Sequence, residues 1–343
     1  MYLGADVSTF SIPASDGEPA RKAWAISADS HIKKALQMLE ARLAQDGLRF
    51  KPSNKTSDHP FSTQAYRPEL DVTEYCNDAQ TQLYQSLVGI LIWLTEIGRV
   101  DILMEPSMLS THLAMPRQGH LQQSIHMFKY LKDHNRSKMV FDPLPVYIHD
   151  DDLIPEERAS YKAKFMAELY PDARELKPKN APKPRGRSVT ITCFVDSDHA
   201  GDKITRRSRT GIIIFLNRGP IMWHSKRQNT VETSTYGAEF VAMKQAMEMI
   251  KALKYKLWMF GIPIIEDSTK ILGDNQAVIL NSSRPESTLK KKHHSVNYHF
   301  VRESVAAGVA LIMKVDTGHN LADLFTKILD KEKRKNFIQK ILW

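Results

Sequence analysis

Apolar residues recur along this chain with two different periods, and the change comes near residue 189. Through the first 140 residues the spacing is mostly helical. Ile32, Leu36, Leu39 and Leu43 form one stripe within 28–45, which Ser27 or Ser30 caps and Gly47 ends. Leu83, Leu87, Leu91 and Leu94 share one side of 78–99, and Leu121, Ile125, Phe128 and Leu131 line 121–134. Another helix is predicted behind Pro106, over 107–115, and a short strand over 2–12. Residues 50–73, rich in Pro, Ser, Thr and Asn, read as a long exposed connection.

Beyond 189 the β-branched runs predict strands at 189–196, 211–216 and 221–225, with a turn at Asn217-Arg218-Gly219-Pro220. A long helix follows over 234–259 with Phe240, Met243, Met247, Ile250, Leu253 and Leu257 as its apolar stripe; methionines at this spacing are core residues. Strand 270–273, short helix 276–280, helix 296–307, strand 310–315 and a last helix from near Asn320 complete the order. That order predicts an α/β fold, a mixed five-stranded sheet with flanking helices, an antiparallel hairpin edge and right-handed crossovers onto parallel strands. The expected domains are a smaller, mainly helical part at 1–140, a Pro-rich linker at 141–188 with one helix near 156–169, and the sheet domain at 189–343 with a C-terminal helical tail.

With 343 residues, 42% of them hydrophobic, the chain can bury a real core. It has no run of about 18 apolar residues and no basic-then-apolar leader, so it is expected inside a cell and not in a membrane. Two cysteines, Cys76 and Cys193, support neither a disulfide framework nor a cysteine metal site. A net charge of +9 leans toward a polyanionic partner. Three basic groups sharpen this toward phosphate binding: Arg206, Arg207 and Arg209; Lys226 and Arg227; and Lys290, Lys291, Lys292, His293 and His294.

The candidate chemistry is acidic. Asp196 closes an apolar strand, where a carboxylate is costly without a compensating cation. Asp274 closes strand 270–273, Glu239 lies in the first turns of the long helix, and Asp323 lies in the first turn of the last one. Ligand sites in such sheets collect at strand ends. Four carboxylates from four elements repel one another unless Mg²⁺ or Mn²⁺ neutralises them, and the set fits phosphodiester hydrolysis by two ions about 4 Å apart. Singly, each acid has a plainer reading, Asp323 as a helix N-terminal acid and Asp274 as a turn residue. Asp150-Asp151-Asp152 read as a solvated loop, since three adjacent acids cannot all face one ion. The nuclease reading fails if two of the four acids lie on opposite faces, or if a lysine amine fills their pocket.

Several stretches resemble the ribonuclease H domain of copia-type retrotransposon polyproteins: Phe194-Val195-Asp196-Ser197-Asp198-His199-Ala200-Gly201-Asp202, Arg207-Ser208-Arg209-Thr210-Gly211, Trp223-His224-Ser225-Lys226-Arg227-Gln228, Glu232 through Phe240, Asp274-Asn275-Gln276, Lys292 through Glu303, and Asn320 through Lys327. This covers about 189–329. Earlier, Tyr66-Arg67-Pro68, Tyr84 through Gly89 and His112-Leu113-Ala114 resemble the end of the family's reverse transcriptase domain, which would make 1–140 a remnant of it. The resemblance implies a ribonuclease H-like fold and hydrolysis of the RNA strand of RNA–DNA hybrids during reverse transcription, with two Mg²⁺ or Mn²⁺ ions held by Asp196, Glu239, Asp274 and Asp323. Asp196 would bridge both ions, Asp274 would serve the attacking-water side, Glu239 the leaving-group side, and Asp323 would complete the second site. Ser234, Thr235, Asn275 and Gln276 would meet the hybrid, although capping and turn roles explain them equally well. His319 would shuttle a proton, at a spacing to Asp323 shorter than in cellular ribonucleases H; a plain loop histidine is the other reading.

Two departures stand out. Tyr236 occupies a place where the family commonly has an acid, and no Tyr-x-Asp-Asp motif occurs, so DNA synthesis by this chain is not expected. Implied partners are the hybrid and other segments of a polyprotein, and the implied location is a cytoplasmic particle with later nuclear access. Two other readings stay open: a remnant that binds nucleic acid without cutting it, and integrase- or resolvase-type chemistry on the same sheet.

Overall fold

The computed structural model describes residues 4–15, 17–45, 57–146, 168–265, 269–284 and 295–343. The chain divides into two compact units, 1–142 with 328–343, and 143–327.

In the first unit, strands β1 (Asp6–Ile12), β2 (Arg21–Ser27) and β3 (Lys138–Phe141) form an antiparallel sheet in that order. The helices are α1 (Asp29–Gln45), α2 (Asp78–Glu96), α3 (Met104–Leu109) and α4 (Gln118–Asp133). Their stripes meet as expected: Ile32, Leu36, Leu39, Leu43, Leu83, Leu87, Leu91, Leu94, Leu121, Phe128 and Leu131 are all buried in one core. Asn77 caps α2 through the Gln80 amide, and the Gln80 side chain returns the bond. Three details differ from the sequence reading. Strands β2 and β3 were not anticipated; β2 buries only the small Ala23, Ala25 and Ser27. The helix expected at 107–115 runs instead from Met104 to Leu109, then tightens to a 3₁₀ turn. His59 and Phe61 are buried, so the connection at 50–73 is not wholly exposed.

The last sixteen residues also correct the expected boundary. Helix Lys331–Gln339 packs in the first unit and not with the sheet domain. Arg334, 2% exposed, reaches Glu105 (3.4 Å) and the Asp101 carbonyl, and Trp343 exchanges backbone hydrogen bonds with Lys138. A buried guanidinium needs such partners, and the first unit supplies them.

The second unit holds the mixed sheet, order β6-β5-β4-β7-β8, from β4 (Ile191–Ser197), β5 (Arg209–Leu216), β6 (Gly219–Arg227), β7 (Lys270–Gly273) and β8 (Leu311–Lys314). Strands β4, β5 and β6 are antiparallel, and β7 and β8 run parallel to β4. Helices α5 (Thr235–Met259), α6 (Gln276–Ser283) and α7 (Ser295–Ala306) connect them. The expected α/β architecture, a mixed five-stranded sheet with flanking helices, is thus the observed one. Ile191, Cys193 and Val195 on β4 pack with Phe240, Met243, Met247 and Ile250 of α5 and with Val301 and Val305 of α7. Asn320 begins a 3₁₀ turn, Leu321–Phe325, where an α-helix was expected.

Residues 143–188 belong to this unit and are not a free linker where described. Glu175 pairs with the Lys254 amine (2.7 Å), and the Arg185 amide bonds the Gly261 carbonyl (2.7 Å). Asp150-Asp151-Asp152 and most of the helix expected at 156–169 fall outside the described residues, as do Lys290 to His294. Both cysteines are free, Cys193 buried and Cys76 half-buried. No helix among the described residues is long and apolar enough to cross a membrane.

Candidate active site

Strand register brings the first two acids together. β4 and β7 pair in parallel, Thr192 with Lys270 and Phe194 with Leu272, so two residues further on Asp196 and Asp274 leave the strands side by side. Side chains alternate along β4, which puts Val195 in the helix-covered core and Asp196 on the opposite face. That face carries the 3₁₀ turn with Asp323. The turn is tied down by Asn320, which is fully buried and donates its Nδ2 to the Val195 carbonyl (3.0 Å), and by Ser225, whose hydroxyl donates to the Phe325 carbonyl (2.7 Å). Gly211, paired with Asp196 across β4 and β5, makes room for it: a Cβ there would stand 2.7 Å from the Ala322 carbonyl oxygen and 2.6 Å from Thr326 Cγ2.

The result is a cluster in which one oxygen each of Asp196, Asp274 and Asp323 lie within 4.8 Å of one another. Asp196 and Asp323 are buried and Asp274 is half-buried. Glu239, 8% exposed, comes from the first turns of α5, where the Ser197 backbone amide favours its charged form slightly. Burial first, then Asp196 and Asp274, push its carboxyl well above the usual range. Asp196 is pushed up to about 7, chiefly by burial and further by Asp323 and Asp274, against the pull of Lys327 and the Thr326 hydroxyl. Three of the four acids meet at this strand edge, and Glu239 interacts electrostatically with Asp196 and Asp274 from α5.

The second condition is met in part. The Lys327 amine sits 2.7 Å from Asp323 Oδ1 and 3.1 Å from Asp196 Oδ1, while the Thr326 hydroxyl donates to Asp196 Oδ2. Burial lowers the Lys327 pKa, but Asp196 and Asp323 outweigh it and the amine is held above its ordinary value. One ammonium does not balance four carboxylates, and the upward shifts at Asp196 and Glu239, caused first by burial, are increased by the neighbouring carboxylates. Charge count and donor set therefore still fit a hard divalent cation, which takes oxygen ligands. Lys327 was not among the residues expected to shape the pocket, although its place four residues after Asp323 was a legible signal.

The other expected residues are dispersed around this centre. Ser234 caps α5 through the Gly237 amide (3.2 Å) and Asn275 caps α6 through the Val278 amide (3.2 Å), so both have the structural role that competed with substrate contact. Thr235 is exposed and Gln276 half-exposed. His319 is exposed in a turn closed on the Asp316 carbonyl. Asp198, a further acid at the rim, accepts from the Arg209 amide and is raised by burial to about 6. The basic groups are less available than their sequence suggests. Arg209 is buried and bonds Ser225, Arg227 is paired with Asp202 and Arg207 is half-exposed, which leaves Arg206 and Lys226 of these groups exposed; Lys203, outside them, is exposed as well.

No family model matches the chain. It is 31% identical over 290 residues, 84% of its length, to the retrovirus-related Pol polyprotein from transposon RE1 of Arabidopsis thaliana, and 32% identical over 148 residues, 43% of its length, to that from transposon TNT 1-94 of Nicotiana tabacum. The chain spans 17% and 11% of those two proteins. Among solved structures, an RNase H1 isolated from compost is similar at 17% identity and a TM-score of 0.31, over 40% of this chain and 92% of that one. The RNase H1 of Halobacterium salinarum is similar at 16% identity and 0.31, over 40% and 93%. The chain is a homologue of the copia-type, retrovirus-related Pol polyproteins of transposons.

Proposed function

We propose that the chain is a retrotransposon-derived ribonuclease H that hydrolyses the RNA strand of RNA–DNA hybrids with two divalent ions, Mg²⁺ or Mn²⁺. The observation that carries this reading is the convergence of Asp196, Asp274 and Asp323 within 4.8 Å, with Glu239 electrostatically joined to two of them. When bound, the ions supply an activated water and stabilise the departing oxygen of the phosphodiester. The protein's part is placement. β4 and β7 present Asp196 and Asp274 as adjacent oxygen donors, the 3₁₀ turn presents Asp323, and the first turns of α5 present Glu239. The exposed Lys203, Arg206 and Lys226 would hold phosphates of the hybrid, and the starts of α5 and α6, with Ser234, Thr235, Asn275 and Gln276, would meet its backbone. His319, four residues before Asp323, is the candidate to carry a proton away. The first unit would be a reverse transcriptase remnant, and other polyprotein segments and a cytoplasmic or nuclear site of action belong to the same reading.

The Lys327 contact favours a second reading, in which the amine replaces the ions permanently and the protein binds hybrids without cutting them. One assay separates the two. The full chain is incubated with Mg²⁺ and labelled RNA–DNA hybrid, RNA duplex or DNA duplex, beside Asp196→Asn. Cleavage of the RNA only in the hybrid, abolished in the variant, is the expected outcome; retention of uncut hybrid by the wild-type chain would establish the second reading instead.

A further inference from the structure

We propose that Lys327 is a built-in counter-cation of the acidic pocket, which joins Asp196 to Asp323 while no divalent ion is bound and withdraws when one binds, so that it sets the affinity of the pocket for metal. This rests on the metal-binding reading above.

The geometry carries the inference. Thr326 and Lys327 are consecutive, and between them they engage both oxygens of Asp196, Oδ2 through the hydroxyl and Oδ1 through the amine. The same amine holds Asp323 Oδ1 at 2.7 Å. The Asp196 and Asp323 oxygens nearest the amine therefore already face a cation. A divalent ion bound directly to either would stand within a few ångströms of the ammonium, two cations in contact within a low-dielectric site. Lysine can resolve that conflict where arginine or a buried histidine could not do so easily. Its charge is a point on a flexible four-carbon stem, and this side chain keeps 38% of its surface exposed, so a route to solvent exists. Asp196 and Asp323 are anchored independently of the amine, the first by its strand and Thr326, the second by the Asn320-capped turn. Withdrawal of Lys327 thus leaves both carboxylates in position. A metal-free chain gains a partly neutralised and ordered site, and the metal must repay the loss of two ion pairs, which lowers its apparent affinity by the fraction of time the amine is seated.

Two measurements on the full chain test this. Mn²⁺ binding is followed by calorimetry for wild type, Lys327→Met and Lys327→Arg, with melting temperatures in EDTA. The methionine variant should bind Mn²⁺ about tenfold more tightly or better and melt lower without metal, while the arginine variant stays near wild type in melting. Equal or weaker Mn²⁺ binding by Lys327→Met overturns the proposal. So that nothing depends on a variant that folds, the wild-type chain is also acetylated with and without Mg²⁺ and Lys327 is followed by peptide mass analysis. Faster labelling of Lys327 with Mg²⁺ supports displacement, and unchanged or slower labelling contradicts it. Wild-type Mn²⁺ binding with no effect of Lys327 defeats this inference alone, whereas absence of Mn²⁺ binding in every form defeats the nuclease reading with it.

Discussion

At Asp196 two demands collide: the sheet needs its strand buried, and hydrolysis needs its carboxylate charged. The strand wins in the absence of metal, since the side chain is wholly buried and its pKa rises from 3.8 to about 7. Between those values the folded chain holds a proton that the unfolded chain has released, so raising the pH favours unfolding. Glu239 shifts in the same direction and adds to the effect. In EDTA the contribution of these acids to stability should therefore fall as pH rises from about 4 to about 7. The decline in melting temperature over that window should be smaller in Asp196→Asn, which has no proton to release there. Thermal melts of both proteins across the window check this; parallel curves would contradict it.

At the level of elements, the site depends on a contact that no pattern of hydrophobic residues announces. The 3₁₀ turn lies on the sheet because position 211 has no side chain. Gly211→Ala forces a methyl against the Ala322 carbonyl, which is backbone and cannot rotate away, at a cost of about 1–3 kcal/mol typical of overpacking. Its melting temperature and its Mn²⁺ affinity should fall together, because Asp323 moves with the turn. A lower melting temperature with unchanged Mn²⁺ affinity would show that Asp323 is placed some other way. The strands and long helices around this contact were legible, since Ile191, Cys193 and Val195 on one strand and Ile212 and Ile214 on the next fall at every second residue, and Met243, Met247 and Ile250 at every third or fourth. The turn was not. Asn320-Leu321-Ala322-Asp323 carries the capping residue and acid of a helix start, and the tethers from Asn320 to Val195 and from Ser225 to Phe325 tie it to the sheet as a 3₁₀ turn. Lys327 was hidden for a similar reason: its spacing from Asp323 was visible, but its reach to Asp196 spans 131 residues of sequence.

Across the whole molecule, long-range contacts decide what local patterns leave open. Helix Lys331–Gln339 reads as a continuation of the sheet domain, yet Arg334 and Trp343 find their partners at Asp101, Glu105 and Lys138 in the first unit. The same logic assembles the pocket from acids at 196, 239, 274 and 323, each with an ordinary local role open to it and a shared one only once the fold is closed. The account stands on that shared role. Its most direct test is a crystal structure of the full chain grown with Mn²⁺, read by anomalous scattering. The account predicts Mn²⁺ peaks with carboxylate oxygens of Asp196, Asp274 and Asp323 at roughly 2.1–2.3 Å and the Lys327 amine withdrawn from Asp196 and Asp323. A pocket without anomalous signal at saturating Mn²⁺, with Lys327 still bridging the two acids, would contradict it.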